Sequence, residues 1–186
     1  MIVSPPSAYE GLRPTVSLYP PAFADNTALT EFSVRFELGA YDEPPELIGS
    51  FRGWIGWCPD AAEIADAADE IRPDSAFIGA VAAEILDDED LHDDLINTVV
   101  LLDRMTIEET HRSKGLLSLM FVSLVSVLQL DRAGCLIVTE PEPQRDEGGY
   151  YPDGQVRDRA LAGLRRSLAA AGFAPWADGK AYWRKY

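Results

Sequence analysis

The sequence predicts one α/β domain in which helices flank a mixed, mostly antiparallel twisted sheet. Two strand-like segments with alternating polar and apolar residues follow one another at Thr30–Leu38 and Glu46–Trp57. An apolar strand, a short loop, a buried helix and a second apolar strand follow within residues 96–140. A hairpin closes the chain. With 186 residues, 47% of them hydrophobic, one core is expected and a second full domain is not.

The N-terminal half begins with an expected extended segment. Residues 1–27 are rich in proline and small polar residues, so they are expected to lie extended over the surface. After the two strands and the DEPP turn between them, alanine content and apolar residues three and four apart predict helices at 59–71 and 74–86. Pro73 separates the helices because it lacks the amide hydrogen of a helix interior. The acidic stretch DDEDLHDD, which contains His92, is interpreted as a solvated loop.

The C-terminal half predicts a parallel pair of strands. The β-branched and leucine-rich run at 96–107 is typical of a central strand, and GCLIVTE at 134–140 of a shorter buried strand. The apolar run at 115–130 between them predicts a buried helix. A further helix at 157–172 ends at a glycine, and the two short strands of the hairpin follow around the turn ADGK.

Composition disfavours several classes of function. The formal net charge of -15 would repel a nucleic-acid backbone. Cys58 and Cys135 lack the paired spacing of a zinc site, so no metal is expected. The N-terminus does not resemble a signal peptide, and the longest apolar run is short for a membrane span. A reduced, cytoplasmic protein without a membrane or nucleic-acid partner is the expectation.

The loop before the apolar helix carries positive charge in an acidic chain. Arg112, Ser113, Lys114 and Gly115 lead onto the first turn of that helix. Unpaired backbone amides and the helix dipole attract anions there, and a glycine lets a ligand approach the backbone. An anion site is one interpretation. A surface turn with two solvated basic side chains is the other, and this short stretch does not separate them.

The order of elements around this loop resembles the GNAT superfamily of N-acyltransferases. In that family a fourth strand leads into a loop written Arg/Gln-x-x-Gly-x-Gly/Ala. Here R-S-K-G-L-L at 112–117 follows Met105 and Ile107 at the matching spacings. SLAAAGF at 167–173 and the final hairpin correspond to the family's last helix and closing strands. The resemblance covers residues 96–186, roughly half of the chain.

The resemblance implies binding of acetyl-CoA or another acyl-CoA, and transfer of the acyl group to the amine of a small molecule or a protein. The pantetheine would pair with the strand backbone at Met105, Thr106 and Ile107. The pyrophosphate would lie on the backbone amides of Arg112, Ser113, Lys114, Gly115, Leu116 and Leu117. The resemblance implies no metal, and it leaves open whether the protein is a monomer or a homodimer.

Three positions depart from the family pattern. Leu117 stands where the family prefers glycine or alanine, and Glu109 stands where a proline is common before the loop. Leu168 aligns with the tyrosine that many members use as the general acid. Tyr150 and Tyr151 are candidate phenols for that role, although adjacent tyrosines in a glycine-rich loop also serve packing or recognition. These departures leave a second interpretation open, a catalytically silent acyl-CoA-binding or protein-interaction module on the same fold.

Two carboxylates are candidates for the general base. Asp103 precedes Met105 by two residues, so it is expected on the same face of the strand. Glu140 stands at the carboxyl end of the next strand, where such sheets open. A salt bridge is the alternative for Asp103 and a solvated strand end for Glu140. His111, beside the loop, is expected to face solvent or the phosphates.

The sequence does not identify the acceptor. Acidic side chains together with Trp54, Trp57 and Tyr41 are candidates to line a site for a cationic amine. The same aromatic residues are also ordinary components of a core.

Overall fold

A computed structural model of the chain describes residues 11–19, 28–39, 44–88, 95–144 and 149–186. The strands of the described residues are β1 (Leu12–Tyr19), β2 (Thr30–Leu38), β3 (Glu46–Trp57), β4 (Thr98–Ile107), β5 (Cys135–Thr139), β6 (Ala174–Trp176) and β7 (Ala181–Lys185). The α-helices are α1 (Ala61–Ile71), α2 (Pro73–Leu86), α3 (Leu116–Val127) and α4 (Gln155–Ala170). The predicted helices and strands are thus confirmed, with ends that differ by a few residues.

The sheet is mixed and mostly antiparallel, as the sequence predicts. Among the described residues, seven strands pair in the order β1-β2-β3-β4-β5-β7-β6. The pair β4–β5 is parallel, and the other neighbours are antiparallel. The two helices α1 and α2 precede β4, and α3 supplies the connection that a parallel pair requires.

Helices cover both faces of the sheet, and each face has its own core. On one face, Val100 and Leu102 of β4 lie in a cluster with Met120 and Phe121 of α3. On the other face, the alternate β4 residues pack with the buried side of α1 and α2. The alternation follows from the pleat of a strand, whose successive side chains point to opposite faces. Because both faces are covered, β4 is a continuous apolar run up to residue 102.

The first two helices have well-defined starts. The side chain of Asp60 accepts hydrogen bonds from the amides of Ala62 and Glu63, at 3.0 and 3.2 Å, and so caps α1. Pro73 is the first residue of α2, where its missing amide hydrogen costs nothing. The first turn of α2, which includes Asp74, lines a cavity that is described below.

A β-bulge interrupts β4 at Asp103. In the pairing with β3, Arg104 is opposite Arg52 and Leu102 is opposite Gly53, which leaves Asp103 without a counterpart. The extra residue reverses the alternation of side chains beyond it. The prediction that Asp103 shares a face with Met105 is therefore wrong: Met105 packs against the α3 core, whereas Asp103 reaches Arg72 at the start of α2.

The strands β4 and β5 separate after the bulge. Their parallel pairing ends at Leu102 and Thr139, while β4 continues to Ile107. β5 is followed by a segment with Pro141 and Pro143, which lack amide hydrogens and cannot extend a ladder. In the part of the chain that the structure describes, the last five residues of β4 thus have no strand partner on the β5 side.

The N-terminal segment contains more regular structure than the sequence indicated. Leu12–Tyr19 form the edge strand β1, paired with β2 along its whole length. The remainder of the predicted extended segment lies outside the described residues, as do Tyr41 and most of the acidic stretch with His92. Within the described ranges, no helix is both long enough and apolar enough to cross a lipid bilayer.

Candidate functional site

The open edge of β4 lines a cleft of about 470 Å³, here called the β4–α4 cleft. Met105, Thr106 and Ile107 form one wall, so the three strand residues that the sequence singled out lie together in it. The opposite wall is a face of α4 that comprises Ala160, Gly163, Leu164 and Ser167. Residues spaced three and four apart lie on one side of a helix, and three of these four have small side chains, which leaves the space open.

The loop predicted to bind anions stands at one end of this cleft. Arg112 and Ser113 line the cleft, and the Nε of Arg112 donates a hydrogen bond to the carbonyl oxygen of Ile107 at 2.8 Å. Ser113 and Gly115 both have positive φ angles, 59° and 72°. Left-handed residues in a turn are one way in which proteins bring successive amides together as a site for anions. Lys114, between them, is exposed.

The start of α3 faces this loop without a side-chain cap. Gly115 is the residue before the helix, and in the part of the chain that the structure describes no side-chain hydrogen bond caps α3. A Cβ atom built on Gly115 would meet no atom within 4 Å, so the apex of the loop is open. Leu116 is buried in the core, while the mostly buried side chain of Leu117 forms part of the cleft wall. Of the six loop residues that the sequence singled out, Arg112, Ser113 and Leu117 thus line the cleft, and all six lie at or next to the start of α3.

A second cavity, of about 320 Å³, lies on the other side of Tyr151, and we call it the acidic pocket. Its lining includes the four residues that the sequence proposed for catalysis: Asp103, Glu140, Tyr150 and Tyr151. Among the described residues, the other polar or charged members are Asp74, Glu142, Asp153 and Arg157, which sequence reasoning missed. Tyr151 lines both cavities.

Asp103 is held in ion pairs. Its carboxylate accepts a hydrogen bond from Arg72, lies 3.5 Å from the Nε of Arg104, and has a side chain that is 5% exposed. The guanidinium of Arg72 in turn lies 5.0 Å from the centre of the Trp54 ring. The salt-bridge alternative for Asp103 is thus what the structure contains. Trp54 supports this ion pair from within the core.

Glu140 has a different environment. Its side chain is half-buried, and no hydrogen bond or ion pair of its carboxylate is present among the described residues. Burial raises the pKa of Glu140, the carboxylates of Glu142, Asp74 and Asp103 raise it further, and Arg157 opposes them. A carboxylate with a raised pKa accepts a proton more readily near neutral pH than an ordinary one. The alternative of a simply solvated strand end does not describe this position.

Hydrogen bonds and ion pairs connect five of the other pocket residues in two groups. Arg157 makes a two-pronged contact with Glu142, at 2.7 and 3.1 Å, and lies 3.7 Å from Asp153. The hydroxyl of Tyr150 donates a hydrogen bond to Asp74 at 3.3 Å. Burial, followed by the charge of Asp74, raises the pKa of Tyr150, so its phenol keeps its proton at neutral pH.

Three other expectations are corrected or completed by the structure. His111 does not face solvent or the helix start, because it is buried and its Nε2 lies 2.9 Å from the carboxylate of Glu46. Leu168 is fully buried in the α3 core and offers no proton donor. Trp57 pairs with Thr98, the first residue of β4, whereas both cavities lie near the other end of that strand. Trp57 therefore does not line the acidic pocket.

Within the residues described, no group of three or more histidine, cysteine or carboxylate side chains is arranged to hold a metal ion. No protein-family model matches the chain, and no curated protein matches its sequence. Among solved structures, the chain is similar to Arabidopsis thaliana NAA60 in complex with a bisubstrate analogue. That likeness has a TM-score of 0.37 and 13% identity, and it covers 84% of this chain and 74% of the other.

Proposed function

We propose that this protein is an acyl-CoA-dependent N-acyltransferase, with acetyl-CoA as the expected donor and an amine as the acceptor. The observation that carries the proposal is the meeting of two cavities at Tyr151. One runs along an open strand edge to a helix start, and the other is lined by carboxylates. A thioester extended along the first would present its carbonyl carbon to an amine held in the second.

The β4–α4 cleft suits the donor in shape and in polarity. The free edge of β4 at Met105–Ile107 offers backbone groups to an extended pantetheine chain, and the small side chains of α4 leave room for it. The amides at the start of α3 and in the turn at Ser113 and Gly115 would hold the pyrophosphate. Lys114 adds positive charge in a chain with a net charge of -15.

The acidic pocket suits the acceptor and the proton transfers. Glu140 would take a proton from the acceptor ammonium, whose nitrogen lone pair then attacks the thioester carbonyl carbon. A carbon–nitrogen bond forms, the carbon–sulfur bond breaks, and the electron pair leaves with sulfur as a thiolate. The nitrogen of the new amide loses its second proton, which balances the proton that the thiolate takes up, and the proton on Glu140 passes to solvent. Because Asp103 is occupied by Arg72, Glu140 is the stronger candidate for the base. Asp103 would hold the start of α2 against β4.

A phenol would return a proton to the thiolate. Tyr151 borders both cavities and therefore stands where the sulfur would lie, whereas the hydroxyl of Tyr150 is bonded to Asp74. We therefore assign the general acid to Tyr151. A thiol with a pKa of about 8.5 leaves readily even without this help, so the acid would matter less than the base.

A catalytically silent acyl-CoA-binding module is the second candidate. The observations that favour it are the burial of Leu168 in the core and the presence of Leu117 in the cleft wall. Both candidates share the donor cleft, so they differ in turnover and not in cofactor binding.

Thermal unfolding with and without cofactor tests the shared part of the proposal. Acetyl-CoA at a hundred times its Kd should stabilise the fold by about 2.7 kcal/mol, which corresponds to a rise in Tm of roughly 5–10 °C for a chain of this size. ATP, an anionic nucleotide without pantetheine, serves as the control and should give a much smaller rise. The absence of a shift with acetyl-CoA, propionyl-CoA and free CoA would contradict the donor assignment.

A further inference from the structure

Among the described residues, the acidic pocket contains more negative charge than its arginines neutralise. Asp103 is paired with Arg72 and Arg104, and Glu142 is paired with Arg157. Asp153 lies 3.7 Å from Arg157, and its side chain is 99% exposed to solvent. Two lining carboxylates, Glu140 and Asp74, have no ion pair with an arginine or lysine among the described residues.

These two carboxylates come from different parts of the fold. Glu140 follows the end of β5, whereas Asp74 stands in the first turn of α2. Both residues line the acidic pocket. Asp74 is exposed, and the hydrogen bond from Tyr150 fixes its carboxylate at the pocket wall. A ligand in the pocket would therefore meet one negative group beside the reacting position and a second on the opposite element.

We infer that the acceptor amine carries a second cationic group, and that Asp74 is the residue that selects it. This inference rests on the proposed function, because the first amine must stand at Glu140 to react while the second remains unchanged at Asp74. A cavity of about 320 Å³ is at the small end for ligand pockets, which favours a short alkyl diamine over a bulky acceptor.

The surrounding charges support this selection. Glu140 and Asp74, which have no arginine or lysine partner among the described residues, would repel an acceptor that ends in a carboxylate, whereas Arg157 is already paired with Glu142. A ligand with one cationic group would leave either Glu140 or Asp74 without a cationic partner. The net charge of -15 also attracts a dication more strongly than a monocation at a distance, an effect that salt screens.

Three acceptors with the same number of carbon atoms test how the charge at the far end affects the reaction. Putrescine ends in a cationic group, butylamine in an apolar group and γ-aminobutyrate in an anionic group. With acetyl-CoA as donor, the kcat/KM for putrescine, halved for its two equivalent amines, should exceed that for butylamine on the order of tenfold. γ-Aminobutyrate should be the poorest acceptor. The preference for putrescine should decrease as ionic strength rises.

Two variants assign the preference to Asp74. Asp74→Asn keeps an oxygen that can accept the hydrogen bond from Tyr150, and it should bring the corrected putrescine-to-butylamine ratio close to unity. Asp66→Asn removes the same charge from an exposed position of α1 that does not line the pocket, and it should leave the ratio unchanged. Direct calorimetric binding of putrescine to the CoA-loaded protein should weaken in the Asp74 variant and not in the control.

The outcomes distinguish this inference from the proposed function. Acylation of butylamine and putrescine with equal corrected kcat/KM, or an equal loss of preference in both variants, would overturn the inference and leave the acyltransferase in place. Acetyl-CoA binding without acylation of any of the three amines would overturn the inference as well. Failure of acetyl-CoA to bind would refute the proposed function itself, and the assignment of Asp74 with it.

Discussion

Replacing Glu140 with glutamine should separate catalysis from stability. The substitution preserves the size of the side chain and removes its ability to accept a proton from the acceptor ammonium. General acid–base catalysis contributes typically 10²–10⁴-fold to a rate, so kcat/KM for amine acetylation should fall by roughly a hundredfold or more. The amide should not weaken donor binding, because Glu140 lies in the acidic pocket and does not line the β4–α4 cleft.

The same substitution should not destabilise the fold. The pKa of Glu140 is raised in the folded protein, first by burial and then by the neighbouring carboxylates. The folded state therefore holds this proton more tightly than the unfolded state, and that contribution to stability is lost as pH rises through the folded-state pKa. At neutral pH the ionised carboxylate is unfavourable, so Glu140→Gln should leave Tm unchanged or raise it.

Steady-state thiol release and thermal unfolding measure both effects on one preparation. In the wild-type protein the pH profile of kcat/KM should rise with an apparent pKa above that of an ordinary glutamate, and this limb should disappear in Glu140→Gln. A variant that retains turnover within a few-fold of wild type would refute the assignment of Glu140. A variant that loses turnover and unfolds at a much lower temperature would show that the side chain is structural.

Three further predictions concern the loop, the ion pair and the phenol. Gly115→Val should weaken calorimetric binding of acetyl-CoA more than Lys114→Ala, because φ of Gly115 is 72° and a side chain would project into the open loop apex. Gly179→Val, at φ 76° and outside both cavities, controls for backbone strain. A larger loss of affinity in Lys114→Ala than in Gly115→Val would contradict this loop geometry. Asp103→Asn should lower the free energy of unfolding by about 1–3 kcal/mol, since Arg72 loses its partner, and an unchanged denaturant midpoint would contradict that. Tyr151→Phe should lower kcat no more than about tenfold, which is a smaller loss than that expected for Glu140→Gln. A larger loss of rate in Tyr151→Phe than in Glu140→Gln, measured in single-turnover assays, would reverse the ranking of acid and base.

Periodicity predicted the secondary structure because its determinants are local. The alternation in β2 and β3, the alanine-rich helices on either side of Pro73, and the apolar run of α3 each identify an element without reference to the rest of the chain. The place of the loop residues at the start of α3 could also be predicted, since a short loop between a strand and a helix must lie next to the first turn of that helix.

The composition of the acidic pocket could not be predicted in the same way. The face of Asp103 depends on a bulge, and the bulge depends on the register against β3, where a Cβ atom on Gly53 would lie 2.1 Å from the carbonyl oxygen of Leu101. Asp74 lines the pocket because α2 packs beside β4. Its sequence context is that of an ordinary first helical turn, so nothing local to it indicates a pocket. The pairing of His111 with Glu46 is likewise a contact across many residues.

Identification of both products in one reaction tests whether the two cavities act together. The purified 186-residue chain is incubated with acetyl-CoA and putrescine, and free CoA thiol and N-acetylated amine are quantified, the latter by mass spectrometry. We expect one acetylated amine for each thiol released, at a rate well above that of the Glu140→Gln variant. Thiol release without acetylated amine, or no thiol release from a protein that binds acetyl-CoA, would contradict the proposal that this chain is an N-acyltransferase for such amines.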